Sequence, residues 1–131
     1  SIIKIKQDME QHEKIRNAVT EFIKAGDNSD TEKLSGILHP NFKNTQHGFF
    51  ENKGVVIFDK QEYIALVAAK TFGGNPRTLE IVQLDHVGSI AMVKALLKSS
   101  KLSFTSFISL VMDENNEWTV IGNFPHITTV S

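Results

Sequence analysis

The stretch from Ser103 to Phe124, SFTSFISLVMDENNEWTVIGNF, constrains the fold more than any other part of the chain. Aromatic and β-branched residues crowd both of its halves, and Asp113-Glu114-Asn115-Asn116 separates them, so it reads as two strands joined by a polar turn. Successive side chains of a strand point to opposite faces. Phe104, Phe107, Ile108, Leu110 and Val111 do not keep to one face, and both faces of this sheet therefore need cover. The doubling recurs one strand earlier, where Ile90, Met92 and Leu96 share one face and Ala91, Val93, Ala95 and Leu97 the other. A ligand-sized hollow on one side and a second copy of the chain on the other would supply that cover. The alternative is that a helix and loops of the same chain pack one of the faces.

The segments TLEIVQLDHV, IAMVKALLKSS, LSFTSFISLVMD and EWTVIGNFPHI follow one another with short turn signals between them, which predicts an antiparallel meander. Before them the period is helical. From about Lys6 to Ala25, Ile15, Ala18, Val19, Phe22 and Ile23 fall on one helical face, and Gly26 stands where a left-handed C-cap residue would. Asp30 can cap a short second helix, TEKLSGIL, which must stop near His39 because Pro40 disfavours helical geometry in the residue before it. NFKNTQHGFF reads as a strand or an irregular edge segment. After GVVIF, Asp59 and Glu62 have the spacing of a capping box and open a third helix through Tyr63, Ile64, Val67 and Ala68. Helices early and sheet late is an α+β order, with the helices on one face of a curved sheet.

At 131 residues the chain has the size of one domain, 1–131, able to bury roughly two-thirds of the surface its unfolded form exposes. It has no cysteine, so thiolate metal sites, a cysteine nucleophile and disulfides do not arise. A formal charge of -1 without long runs of one sign supplies no field for nucleic acid or anionic lipid. No apolar run approaches the roughly 20 residues of a membrane helix, and no signal-type segment opens the chain. We therefore expect no nucleic-acid partner and no membrane partner, with a cytoplasmic location favoured and a processed, exported form left open. The chain starts at Ser1 without a methionine.

The order of helices and final meander, with FIKAGDNSDTEKLSGILHPNF early and FISLVMDENNEWTVIGNF late, resembles the NTF2-like superfamily, including its SnoaL-like and ketosteroid isomerase-like members. Within it the chain is most similar to the group described as Putative lumazine-binding. The resemblance covers nearly the whole chain and rests on Gly26-Asp27 after helix one, Leu38-His39-Pro40 entering the first strand, the strand from Ile90 to Val93, and Trp118 after a polar turn. It implies an NTF2-like cone in which three helices pack on a strongly curved, mostly antiparallel sheet. It also implies an interior cavity and a homodimer formed through the outer face of the sheet.

Isomerases and cyclases of this superfamily place carboxylates, tyrosines or histidines in the cone to move a proton beside an apolar substrate. This chain departs from that pattern three times. Its one tyrosine, Tyr63, falls on the third helix, whereas a ketosteroid isomerase uses a first-helix tyrosine where Ile15 and Val19 stand here. The base's position falls near Thr45 and Gln46, and Ser106 stands where the lumazine-binding group often has aspartate.

The candidate pocket residues are Gln46, His47, Tyr63, His86, Ser106, Trp118 and Asn123. A lone strand histidine is more often a rim or surface group than a catalyst, and Asn123 and His126 could instead satisfy backbone groups at the sheet edge. Asp85 and His86 adjoin in sequence but point to opposite faces, so they do not form a dyad. Asp27 and Asp30 belong to the turn and cap after helix one. HEKIR at His12 lacks the second histidine of a zinc-protease helix because Arg16 holds that place, and GGNPR is a turn rather than a phosphate cradle. The sequence calls for no metal and no cofactor. The leading expectation is a binding module whose apolar cone holds a small apolar or cyclic molecule. The alternatives are a SnoaL-like lyase, isomerase or cyclase with His47 or His86 as general base, and a dimeric interaction domain with no ligand.

Overall fold

In a computed structural model, the described residues, 1–130, form three helices and six strands. Helix α1 spans Ile2–Asp27 and α2 spans Thr31–Ile37; strands β1 (Leu38–Phe49) and β2 (Asn52–Asp59) follow. Then come α3 (Lys60–Ala68) and the meander β3 (Thr78–Val87), β4 (Ile90–Lys98), β5 (Leu102–Met112) and β6 (Trp118–Thr129). The strands make one sheet in the order β2-β1-β6-β5-β4-β3, antiparallel throughout except for the parallel pair β1/β6. The helices lie on its concave face, and this is the α+β cone expected from the sequence. Among the described residues no helix is long and apolar enough to cross a membrane.

Each helix starts where a side chain can accept an orphan backbone N–H. Ser1 Oγ accepts from Lys4 N, so α1 begins several residues before Lys6. Its first turns are exposed, and they carry no burial periodicity that a sequence reading could detect. Asp30 caps α2, and Asp59 with Glu62 completes a reciprocal capping box on α3. At the far end of α2, Lys60 Nζ donates to the carbonyls of Ser35 and Leu38, satisfying acceptors the helix cannot use.

Two local expectations are corrected. Gly26 is not the left-handed residue that ends α1: the helix runs through it, and Ser29, at φ 53°, takes that conformation. Gly26 is instead buried, with its carbonyl oxygen accepting from Ser29 N and Gly74 N. Of the strand or irregular edge segment expected for Asn41 to Phe50, the strand is present but the edge is not: β1 lies between β2 and β6, and β2 takes the edge. Pro40 is tolerated there because the β1/β2 ladder starts only at Lys43↔Asp59, and the β1/β6 register is irregular between Leu38 and Lys43.

The core is the expected apolar face of α1, with Ile15, Val19 and Phe22, pressed by way of Leu34 and Val67 against Phe42, Val93, Leu97, Ile108, Leu110 and Val120. Burying each such side chain contributes about 1.5–3 kcal/mol. On β4 the two-faced pattern resolves cleanly: Ala91, Val93, Ala95 and Leu97 are buried on the concave side, while Ile90, Met92 and Leu96 face outward.

The loop between α3 and β3 is docked on the end of α1 through Gly73. That residue has φ +72°, and a Cβ there would fall on the carbonyl oxygen of Gly26. Gly73→Ala is expected to lose about 1–3 kcal/mol of stability from backbone strain alone. Gly36→Ala is the control, because nothing lies within 4 Å of its added methyl and it sits in a helix. Urea unfolding of both variants checks the contrast: Gly36→Ala is expected to be neutral or stabilising by about 0.5–1 kcal/mol.

Candidate functional site

Strand alternation carries Phe42, Asn44 and Gln46 of β1 onto the buried concave face, and Ser106 and Ile108 of β5 onto the same side. The register then assembles a polar ledge across three adjacent strands. Asn44 stands opposite Asn123 in the parallel β1/β6 pair, Asn123 opposite Ile108, and Pro125 opposite Ser106. Above this ledge lies a cavity of about 570 Å³. Its side walls are Phe22, Ile23, Tyr63, Phe49, Phe72 and Phe104, and its rim includes His47, Phe50, Lys70 and Arg77.

The walls hold one another in place. Phe49 packs edge-on against Phe58 and Phe72 at centroid distances of 5.0 and 5.4 Å, and Phe72 continues to Tyr63 at 5.7 Å. These geometries favour a rigid aromatic lining. On the ledge, Gln46 Nε2 donates to Asn44 Oδ1 at 2.9 Å. Asn123 Oδ1 is buried with no partner. An unsatisfied buried acceptor costs about 1–3 kcal/mol.

At the rim, Arg77 is fixed by Asp27. Its Nε donates to Asp27 Oδ1 at 2.7 Å and its backbone N–H to Oδ2 at 3.2 Å. The guanidinium carbon lies 4.8 Å from the ring centroid of Phe104, within cation–π range. Both terminal nitrogens of Arg77 are left without a partner among the described residues. Among these residues the ionisable side chains lining the cavity are His47, Tyr63, Lys70 and Arg77, and no carboxylate joins them. Burial pushes the Tyr63 phenol up to about 12; Arg77 opposes the rise and Asp27 adds to it. A phenol held that high is a hydrogen-bond donor at neutral pH and not a base.

Gln46, His47, Tyr63, Ser106 and Asn123 come together around this cavity. His47 is exposed at its rim, next to the bulge where Gly48 has φ +85°. His86 and Trp118 do not join them. His86 packs edge-on against His12 of α1 at 5.1 Å and against Trp118 at 6.1 Å, and Trp118 Nε1 donates to Gln11 Oε1 at 2.8 Å. The reason is position along the strands: His86 pairs with Ala91 and Trp118 with Met112, whereas the hollow lies toward the opposite strand ends, beside Arg77, Phe104 and Ile127. His126 faces outward opposite Thr105. Asp27 is the last residue of α1 and serves as the partner of Arg77, and Ile15 and Val19 are core residues.

Asn44, Arg77 and the ring walls Phe49, Phe72 and Phe104 were not among the pocket residues expected from the sequence. Asn44 had a signal, since it shares the alternation of Gln46. Arg77 had none, because its place at the rim depends on Asp27, 50 residues earlier.

Tyr63 is the single tyrosine, so its ionisation is directly visible as tyrosinate absorbance near 295 nm. The native protein is expected to titrate near 12 instead of 10. Because the folded pKa is raised, the folded state holds the proton more firmly than the unfolded chain. The contribution to stability is therefore complete below pH 10 and is lost as pH climbs through about 12. Tyr63→Phe removes this alkaline slope.

Solved structures similar to this chain include an NTF2-like protein of unknown function from Shewanella baltica, at 17% identity and TM-score 0.79, with 92% of this chain and 95% of that one covered. A second, from Silicibacter pomeroyi, is 16% identical with TM-score 0.80, covering 92% and 98%. A ketosteroid isomerase-like protein from Erwinia carotovora atroseptica is 12% identical with TM-score 0.69, covering 89% and 94%. No protein in the curated set is significantly similar in sequence. These likenesses are of fold, and the fold is NTF2-like. Residues 10–124 match the family described as "Putative lumazine-binding", and the chain belongs to that family.

Proposed function

We propose that the protein binds a small cyclic molecule in the cavity between α1, the α3–β3 loop and the concave face of β1, β6 and β5. The observation that carries this reading is the polar ledge at the base of an aromatic-walled hollow, with the Asn123 oxygen buried and unpartnered there. A few convergent polar groups in an apolar concavity of this size are what a small-molecule site requires. The family's description, "Putative lumazine-binding", agrees with a planar heterocyclic ligand.

The lyase, isomerase or cyclase reading is less well supported. Of the two histidines considered as general base, His47 is exposed at the rim and His86 lies outside the hollow. No carboxylate lines the cavity among the described residues, and Tyr63 holds its proton. Binding needs only shape and hydrogen bonds, and these are present.

We also propose that the convex face is covered by a second copy of the chain. Ile90, Phe107 and Phe124 are 60%, 43% and 54% exposed there, and Phe107 lies directly opposite Phe124 across β5/β6. Met92 and Leu96 extend the patch, and Lys94 lays its stem along it with Nζ 5.8 Å from the Phe107 ring centroid. A face with this many exposed aromatic and aliphatic side chains suits an isologous contact with itself.

Native mass spectrometry of freshly purified protein, followed by denaturing release, tests both parts. The expected result is a dimer that carries a small molecule, and Ser106→Phe, which fills the ledge, is expected to lose the adduct while staying dimeric. The binding reading fails if the protein emerges empty and no aromatic or heterocyclic acid, alcohol or amide at millimolar concentration raises its melting temperature. For the dimer, Phe107→Glu is expected to yield monomer in sedimentation at micromolar concentration. A monomeric parent protein contradicts it.

A further inference from the structure

The ionisable groups on the cavity wall are unlike those of the chain as a whole. The chain has 15 acidic and 14 basic residues. Yet the wall presents His47, Lys70 and Arg77, and among the described residues no carboxylate. Asp27 stands behind Arg77, with one oxygen on its Nε and the other on its backbone N–H. That carboxylate aims the guanidinium and leaves its terminal nitrogens as a donor fork. Phe104 supports the planar group from one side.

We infer that the ligand of this cavity is a flat two- or three-ring carboxylate, its anionic end held by Arg77 and Lys70 and a hydroxyl or ring N–H at its far end donated to Asn123. The inference rests on the small-molecule reading given above. A planar fork with paired N–H donors matches a carboxylate in geometry as well as in charge. The far end is defined independently, by the buried Asn123 oxygen, which accepts and so calls for a donor.

The register sets the spacing between the two ends. Phe104, under Arg77, pairs with Ile127, whereas Asn123 pairs with Ile108. The two sites are four residues apart along β5, which is roughly 13 Å at the rise of a strand. That separation holds a fused two-ring body with one hydrogen bond at each end. Between the ends the lining is aromatic, with Phe104, Phe72, Phe49 and Phe22, which suits a flat ring system.

The test is titration calorimetry with three probes: 6-hydroxy-2-naphthoate, its neutral methyl ester, and 2-naphthoate. The hydroxy acid is expected to bind about tenfold more tightly than the ester, the scale of one charge-assisted contact. It is also expected to bind severalfold more tightly than 2-naphthoate. Arg77→Gln is expected to erase the preference for the acid. Because that change also strips Asp27 of its partner, Lys70→Gln and added salt provide readouts that do not touch the fold. Both should weaken the acid and leave the ester unchanged, with screening strong by about 0.5 M salt.

Equal binding of acid and ester overturns the anionic end while leaving the small-molecule reading intact. Equal binding of the two acids overturns the donor end. If neither the acid nor the ester binds at millimolar concentration, the inference and the reading beneath it fall together.

Discussion

The largely buried ion pair between Asp27 and Arg77 ties the last residue of α1 to the residue just before β3, and the cavity depends on it. Around it, the carbonyl of Gly26 accepts from Gly74, and Gly73 packs so closely that no side chain fits. These contacts close the α3–β3 loop over one side of the sheet. Without them Phe72 would lose its place in the wall and Arg77 its direction toward the hollow. Removing one partner from such a pair leaves the other charge partly desolvated and unpaired, which costs more than the pair itself contributes. Burial dominates the rise of the Tyr63 phenol, and the same two charges act on it in opposite directions.

The two faces of the sheet solve different problems. The concave face is covered by α1 over β6 and β3 and by α3 over β1, and the side chains beneath them form one packed apolar core. Where β1, β6 and β5 carry Gln46, Asn123 and Ser106 the ledge is polar, and a hollow remains above it. A chain selected for stability alone would fill that end with leucine. The convex face shows the opposite arrangement: Ile90, Met92, Phe107 and Phe124 lie open on it, with Phe107 and Phe124 side by side.

The meander was legible because four strands in succession pair with their neighbours, and each carries its own alternation between turns. The capping box at Asp59 was legible for the same reason, since all its partners lie within one turn. What was hidden is nonlocal. β1 enters the sheet beside β6, about eighty residues later and in parallel, and nothing in its own sequence marks it as interior. That insertion decides the site, because it brings Asn44 and Gln46 beside Asn123. Alternation identified Gln46, Ser106 and Asn123 as inward candidates, but it left open which end of the sheet each would occupy. His86 and Trp118 were assigned by the same rule and came to rest at the other end, against His12 and Gln11. Gly26 was misread because a glycine at the end of a helical pattern commonly takes the left-handed position, whereas here the helix runs through it and Ser29 takes that conformation.

A ledge kept for a ligand and not for the fold makes one sharp prediction about Asn123. Its oxygen is buried without a partner, so Asn123→Leu, close in shape and free of polar atoms, should stabilise the empty protein. The urea unfolding free energy of that variant is the measurement to make. A gain of about 1 kcal/mol or more is expected from relieving an unsatisfied buried group. A loss of about 1–3 kcal/mol would contradict it, because the amide would then be holding the fold together through bonds of its own.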